Sequence, residues 1–104
     1  MDLHNKIILA SCPYEITPHL GLFDVVISKS VTLKPKKGPC YYEDYFNNWG
    51  LDNPGIDYFL ENTYPKLQAY NSNVIVSIHG ETEQEYLEML DKLKNIPVEI
   101  NLSC

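Results

Sequence analysis

The chain has 104 residues, of which 44% are hydrophobic and 12% aromatic, and its formal net charge is −6 at pH 7. This length allows one globular domain at most, which buries somewhat over ~60% of the surface that its unfolded chain exposes. The acidic balance excludes a phosphate-binding nucleic-acid surface, and no apolar run is long enough to span a bilayer.

The first two predicted elements are short apolar strands. Lys6–Ser11 is brief and is closed by a proline two residues later, which favours a buried strand over a helix. Residues 14–22 leave room for no more than a turn or two of helix. Phe23–Lys29 is β-branched and continuous, as is typical of a strand covered on both faces. This second strand delivers Lys29 and Ser30 to its carboxyl end.

A long connection and a helix follow. Residues 31–53 are rich in Pro, Gly, Tyr and Asn, and a loop of this length is usually functional or disordered; the aromatic density favours an ordered one. Asn53 is the predicted N-cap of the helix, with Pro54 in its first turn. Pro65 should kink or divide this helix. The positions that keep helical spacing are Ile56, Phe59, Leu60, Thr63 and Leu67.

The third strand and the second helix are the clearest pair of elements. Asn73–His79 is the predicted strand, and Gly80 lets the backbone turn out of it. Glu81–Asn95 is the predicted helix, with Thr82 as its cap and Glu85 as the capping-box partner. Glu88 and Lys92 are spaced for an i,i+4 ion pair. The apolar stripe of this helix consists of Tyr86, Met89, Leu90 and Leu93.

The last stretch, Val98–Cys104, alternates between apolar and polar residues. It is predicted to be a buried strand, with Val98, Ile100 and Leu102 on one face and Glu99, Asn101 and Ser103 on the other. It ends in an amide, a hydroxyl and a thiol, at the edge where α/β folds build their sites. The alternation of strands and helices predicts parallel strands in sequential order, joined by right-handed crossovers.

The three cysteines, Cys12, Cys40 and Cys104, are widely spaced, with no CxxC pair and no histidine at zinc-ligand spacing. Neither a disulfide framework nor a metal site is indicated. The amino terminus lacks the basic region, long apolar core and cleavage site of a secretory signal, so the cytoplasm is the expected location.

Four segments carry a resemblance to a known family. They are Ile7–Ser11, Ser28–Pro35, Asn47–Gly55 and Asn101–Cys104, each at the carboxyl end of a predicted strand or in the loop after it. Together they resemble the class 1 dihydroorotate dehydrogenases, FMN-dependent flavoprotein oxidoreductases of pyrimidine (UMP) biosynthesis that fold as (β/α)8 TIM barrels. The run Gly50–Gly55 and residues 67–85 are closer to the NAD-linked subclass than to the fumarate-linked one. Because a full barrel needs roughly 250 residues, the resemblance implies that residues 1–104 are a single partial domain, the first half of the barrel.

The resemblance also implies roles for single residues. The residues that would contact FMN are Ala10, Ser11, Lys29, Ser30 and Asn101. Those that would hold dihydroorotate or orotate are Lys29, Asn47, Gly50, Leu51 and Asn101. Lys29 and Cys104 would be catalytic. Lys29 would lie between two anions, the reduced flavin and the substrate carboxylate, and Cys104 would be the general base. A thiol, whose unperturbed pKa is about 8.5, loses its proton near neutral pH more readily than a hydroxyl does.

Some positions depart from the family pattern. Cys12 stands where the family usually has glycine, which puts in doubt a close approach of the backbone to flavin, and Trp49 is bulkier than the aliphatic residue expected there. The family continues past Cys104 with four more strands and the loops that bind the FMN phosphate. The 104-residue chain alone is therefore expected neither to bind FMN tightly nor to turn over dihydroorotate. Its expected partners are a carboxyl-terminal half-barrel chain, a second copy of itself, or an iron–sulfur FAD electron-transfer subunit.

Two other interpretations stay open from the residues. One is a non-catalytic half-barrel that serves as an interaction or scaffold module, and the other is a small open α/β domain with an accidental match. Taken singly, each site residue also has an ordinary structural interpretation: Lys29 as a solvated cation, Asn47 as a turn former and Cys104 as a small buried residue. The combined prediction places Lys29, Asn47, Asn101 and Cys104 together at one end of a four-stranded sheet.

Overall fold

Four parallel strands form one sheet in the order β1-β2-β3-β4 in the computed structural model of the chain. The structure describes residues 7–12, 16–36 and 53–102, with backbone only for residues 10–12. The strands are β1 (Ile8–Cys12), β2 (Val25–Ser28), β3 (Val74–Ile78) and β4 (Val98–Ile100). The predicted strand order and direction are confirmed.

The two central strands carry the buried part of the sheet. Val25 and Val26 in β2 are no more than 1% exposed, and Val76 and Ile78 in β3 are fully buried. These residues are β-branched, which suits a strand covered on both faces. The prediction that the second strand is buried is therefore confirmed, and the third strand is buried as well.

The prediction that the outer strands are buried is wrong within the described residues. Ile8 in β1 is 37% exposed, Ile100 in β4 is 50% exposed, and Leu102 just beyond β4 is 82% exposed. β1 and β4 are the two edges of the sheet, and each has a neighbouring strand on one side only. An alternating pattern predicts an apolar face but does not supply the element that would cover it.

The helix after the long connection is divided, as Pro65 predicts. It consists of α1 (Ile56–Tyr58), a π-helical segment (Phe59–Thr63) and α2 (Tyr64–Tyr70). Proline has no N–H for a helical hydrogen bond, and its ring clashes with the carbonyl four residues earlier. The wider π turn directly before Pro65 places the proline in the first turn of α2, where that N–H is not needed.

Asn53 is not the N-cap of this helix. The cap is Gly55, whose backbone has φ 90° and ψ 161°, a conformation that is essentially restricted to glycine. The Asn53 side chain instead accepts a hydrogen bond from the Gly55 N–H at 2.8 Å, two residues on. An Asn-Pro-Gly sequence is compatible with either a cap or such an Asx turn.

The helix α3 (Glu83–Lys92) begins as predicted. Thr82 Oγ1 accepts a hydrogen bond from the Glu85 N–H at 3.2 Å, and the Glu85 carboxylate accepts one from the Glu81 N–H at 2.8 Å. The predicted ion pair between Glu88 and Lys92 is absent among the described side chains. Lys92 Nζ lies 3.0 Å from Asp57 Oδ1 instead, and this tertiary pair joins α3 to α1.

Replacing Thr82 with alanine should lower the free energy of unfolding by about 1 kcal/mol, because the Glu85 N–H loses its acceptor at the start of α3. Denaturant unfolding of the 104-residue chain measures the change. Ser72→Ala, at an exposed residue outside any helix, is the control and should leave the midpoint unchanged. Equal midpoints for the two variants would show that the cap is energetically unimportant.

The helices pack on the central strands to form one core. Met89 of α3 and Ile56 of α1 are fully buried, and Phe59, Leu67 and Leu93 are at most 4% exposed. They form one cluster with residues of β2 and β3, including Val26, Val74, Val76 and Ile78. Within the described ranges, no helix is both long enough and apolar enough to cross a membrane.

Gly80 has a different role from the predicted one. Its φ is not positive, since Gly55 is the sole glycine with a positive φ in the described part of the chain. A Cβ atom added at Gly80 would lie 3.1 Å from the ring of Tyr86 and 3.2 Å from Cβ of Glu85. The glycine therefore provides close packing of β3 against α3, and not a turn conformation.

Candidate functional site

Two β-bulges lie at the same level of the sheet, near the carboxyl ends of β1 and β2. Between the pairs Leu9–Val26 and Cys12–Ser28, two residues of β1 face one residue of β2. Residues 28–30 then face only residues 76–77, because pairing with β3 stops at Ile27–Ile75 and resumes at the bridge from Val31 to Ile78. Bulges are frequent beside active sites, where they redirect side chains. The extra residues belong to the two segments that contain Ala10, Ser11, Lys29 and Ser30.

Ser28 bridges the interruption between β2 and β3. Its side chain is 2% exposed, and its Oγ accepts a hydrogen bond from the Ser77 N–H at 3.1 Å. The same hydroxyl donates to the carbonyl of Lys29 at 3.0 Å. A side-chain oxygen thus satisfies a buried backbone N–H at the point where the regular pairing of the strands ends.

Three polar side chains from three strands meet above this interruption. Asn101, directly after β4, donates from Nδ2 to Ser30 Oγ at 2.7 Å. Ser30, after β2, lies 3.1 Å through its Oγ from the Oγ of Ser77 in β3. Ser77 is 3% exposed, and Ser30 and Asn101 are partly buried. The carboxyl ends of β2, β3 and β4 are therefore connected by side-chain hydrogen bonds.

The backbone of Asn101 is held from two sides. Its N–H donates to the carbonyl of Ile78 at 2.8 Å. Its carbonyl accepts from the hydroxyl of Tyr86 at 3.1 Å and lies 2.8 Å from Nδ1 of His79. A carbonyl is only an acceptor, so His79 carries its proton on Nδ1 in this contact. The rings of His79 and Tyr86 meet edge to face, with centroids 6.4 Å apart.

Lys29 lies at the same edge of the sheet, in the bulge that follows β2. Its side chain is partly buried. Among residues 7–12, 16–36 and 53–102, no side chain or carbonyl forms a hydrogen bond or ion pair with its ammonium group. A lysine without a partner among these residues is suited to an anionic ligand.

The loop after β2 is attached to the start of α1. Asn53 Oδ1 accepts from the Thr32 N–H at 3.1 Å, and Asn53 Nδ2 donates to Thr32 Oγ1 at 2.9 Å. Lys36 and Asn53 also exchange two backbone hydrogen bonds, of 2.8 and 2.9 Å. Two of the segments that carry the family resemblance, Ser28–Pro35 and Asn47–Gly55, are therefore in direct contact.

An ion pair connects this loop to the beginning of α3. Lys36 Nζ donates to Glu81 Oε1 at 2.8 Å. This hydrogen bond and the positive charge of Lys36 hold the pKa of Glu81 below its ordinary value. Because solvent reaches both side chains, and most of the Glu81 side chain is exposed, the pair contributes to the orientation of the loop more than to stability.

The structure joins Ser30 and Asn101 of the predicted site by a hydrogen bond, and Lys29 precedes Ser30 at the same edge of the sheet. Cys104, Asn47, Gly50 and Leu51 lie outside the described residues, as do the side chains of Ala10 and Ser11, and their roles stay predictions. Sequence reasoning missed Ser77, His79 and Tyr86 as members of the site. His79 could have been found by the rule that selected Lys29, because it ends the predicted third strand, whereas Ser77 lies inside that strand. In the described ranges, no group of three or more His, Cys, Asp or Glu residues could hold a metal ion.

The strands are parallel and are connected through helices, and polar side chains of three neighbouring strands meet at their carboxyl edge. This arrangement is typical of α/β folds, which include the β/α barrels. The family model described as dihydroorotate dehydrogenase matches residues 3–104. The chain therefore belongs to the dihydroorotate dehydrogenase family, and its four strands form the first half of that family's TIM barrel. The interpretation as an unrelated domain with an accidental match is wrong.

Curated relatives give the same assignment. The chain is 39% identical to the catalytic subunit of the NAD(+)-dependent dihydroorotate dehydrogenase B of Alkaliphilus metalliredigens. It is 34% identical to the corresponding subunit of Caldicellulosiruptor saccharolyticus and 36% identical to that of Geobacter metallireducens. Each match covers 100% of this chain and 39% of the relative. The predicted resemblance to the NAD-linked subclass is confirmed, and the chain spans about two fifths of the length of these relatives.

Proposed function

We propose that this chain supplies the first half of the active site of an FMN-dependent oxidoreductase that converts dihydroorotate to orotate in de novo pyrimidine biosynthesis. One observation carries the proposal. In a chain of this family, Ser30, Ser77 and Asn101 are joined by hydrogen bonds at the carboxyl edge of the sheet, beside Lys29.

The donors at this edge fit a flavin and an anionic substrate. A lysine ammonium, a serine hydroxyl and a carboxamide are all hydrogen-bond donors, and the flavin and orotate rings carry several carbonyl acceptors. Lys29, Ser30 and Asn101 would hold the flavin, together with Ala10 and Ser11 of the bulge in β1. When FMN is bound, it supplies the hydride-accepting chemistry.

The residues of this chain would bind the substrate and move one proton. Lys29 would neutralise the substrate carboxylate, and Asn101 would orient the ring through its carboxamide, with Asn47, Gly50 and Leu51 completing the pocket. Cys104 follows Asn101 by three residues, and its thiolate would take the proton from the ring carbon next to the carbonyl. The hydrogen bonds at the Asn101 backbone hold this residue in place, three positions before the proposed base Cys104.

We also propose which chains associate with this one. The exposed Ile100 and Leu102 and the edge strand β4 suit pairing with a carboxyl-terminal half-barrel, or with a second copy of this chain. The NAD-linked relatives are named as catalytic subunits, which supports a further subunit for electron transfer. An iron–sulfur FAD protein is our proposal for that subunit.

The decisive experiment completes the barrel. The chain is continued after Cys104 into the part of the Alkaliphilus metalliredigens subunit that follows its matched segment. We expect the purified chimera to retain FMN in stoichiometric amount and to form orotate with a dye as electron acceptor. The control is the 104-residue chain alone, which should do neither. A folded chimera that holds no flavin would overturn the proposal and favour the non-catalytic scaffold.

Lys29→Ala in the chimera should weaken dihydroorotate binding and slow flavin reduction, because the substrate carboxylate loses its cation. Steady-state kinetics give the KM, and stopped-flow absorbance gives the rate of flavin reduction. Lys66→Ala, at an exposed lysine of α2, is the matched control and should resemble the unmodified chimera. Unchanged kinetics in Lys29→Ala would remove this lysine from the site.

A further inference from the structure

Ser77 is the buried end of the hydrogen-bonded series Asn101–Ser30–Ser77, although the proposed reaction gives it no role. It is 3% exposed and comes from β3, the strand between those that carry Ser30 and Asn101. Its backbone is fixed in both directions: its N–H donates to Ser28 Oγ at 3.1 Å, and its carbonyl accepts from the Val31 N–H at 2.9 Å. The Ser77 hydroxyl is thus held in place by the sheet.

The hydrogen bonds define how Ser77 acts on Asn101. The Nδ2 group of Asn101 can only donate, so Ser30 Oγ is the acceptor of the 2.7 Å bond. The second contact of Ser30 Oγ is with Ser77 Oγ at 3.1 Å. Whichever hydroxyl donates in this second bond, Ser77 restrains the side-chain rotamer of Ser30. Ser30 in turn accepts from Nδ2 of Asn101 and thereby sets the orientation of the Asn101 carboxamide. Linked hydrogen bonds of this kind strengthen one another in a buried site.

We propose that Ser77 is a positioning residue, which acts through the Ser30 hydroxyl to set the orientation of the Asn101 carboxamide toward the bound substrate. The inference rests on the proposed function for its substrate, but the orientation of Asn101 is testable without any ligand. Ser77 touches neither substrate nor flavin in this proposal.

The first arm of the test uses the 104-residue chain and the side-chain amide signals of Asn101 in ¹⁵N NMR spectra. Ser77→Ala should shift these signals and accelerate exchange of the amide protons with water, while the signals of the core residues Ile56 and Met89 stay in place. Ser72→Ala, at an exposed serine before β3, is the control and should leave the Asn101 signals unchanged. Ser77→Cys fills the same space with a weaker hydrogen-bonding group and replaces Ser77→Ala if that variant unfolds.

The second arm uses the chimera described above. Ser77→Ala should raise the KM for dihydroorotate about threefold to tenfold, the effect of one hydrogen bond between neutral groups, with a smaller change in kcat. Ser77→Thr, which keeps the hydroxyl, should restore much of the loss.

The two arms separate the two proposals. A chimera without flavin or turnover would overturn the proposed function, and the Asn101 signals of the chain alone would still decide the role of Ser77. Asn101 amide signals in folded Ser77→Ala that match those of the unmodified chain would overturn the positioning role.

Discussion

Replacing Cys104 with alanine should reduce turnover of the completed barrel by ~10²–10⁴-fold, the usual contribution of a general base, while FMN remains bound. The expected loss is large because the proton on the ring carbon has no other proposed acceptor. Orotate formation measures turnover, and the visible absorption of the purified protein measures the flavin content.

Two variants control for this change. Cys40→Ala removes a cysteine to which no role is assigned, and it should leave turnover unchanged. Cys104→Ser keeps a hydroxyl that is a poorer base near neutral pH, so its activity should be low there and should rise with pH. Turnover of Cys104→Ala equal to that of the unmodified chimera would assign the base to another residue.

Gly55→Ala should lower the free energy of unfolding by about 3 kcal/mol or more. An alanine at φ 90° and ψ 161° occupies a region that costs about 1–3 kcal/mol. Its Cβ would also lie 2.9 Å from the backbone nitrogen of Pro35, which cannot move as freely as the end of a side chain. A domain of this size has a total stability of only about 5–15 kcal/mol, so this single methyl group removes a substantial part of it.

Urea unfolding of the 104-residue chain tests this prediction. Gly21→Ala is the matched comparison, because Gly21 has no positive φ and its added Cβ would meet a single carbonyl oxygen, that of Tyr70, at 3.1 Å. It should cost clearly less than Gly55→Ala. If the two variants unfold at the same urea concentration, the strain at Gly55 is not the dominant effect.

The order and direction of the strands could be predicted from the sequence because they depend on local signals. Continuous β-branched runs alternate with helical spacing, and crossover connections of this kind lead to sequential parallel strands. The exposure of Ile100 and Leu102 could not be predicted in the same way. The sequence pattern of an apolar face is the same whether or not another element packs on that face. Whether the face of a strand is covered depends on its position in the sheet, at an edge or in the middle.

Site residues that follow a strand could be predicted, whereas contacts between residues far apart in the sequence could not. Lys29, Ser30 and Asn101 were selected because they follow strands or match a family segment. The contact between Ser30 and Ser77 joins residues 47 positions apart, and it depends on a bulge whose extra residue shifts the register by one. No local pattern specifies that shift, so a serine inside a strand gives no signal of its role.

The interruption between β2 and β3 has a consequence for how the molecule opens. Below it, Val26 and Ile75 belong to the paired part of β2 and β3 over the core, and we expect exchange of their amide protons with solvent deuterons to require global unfolding. Above it, Lys29 and Ser30 are outside the ladder and are held by hydroxyl groups. That layer can open at a smaller free energy than the core beneath it. We therefore expect the edge to which we assign ligand binding and the core beneath it to open as two separate cooperative units. Substitutions at the edge should then leave the core folded.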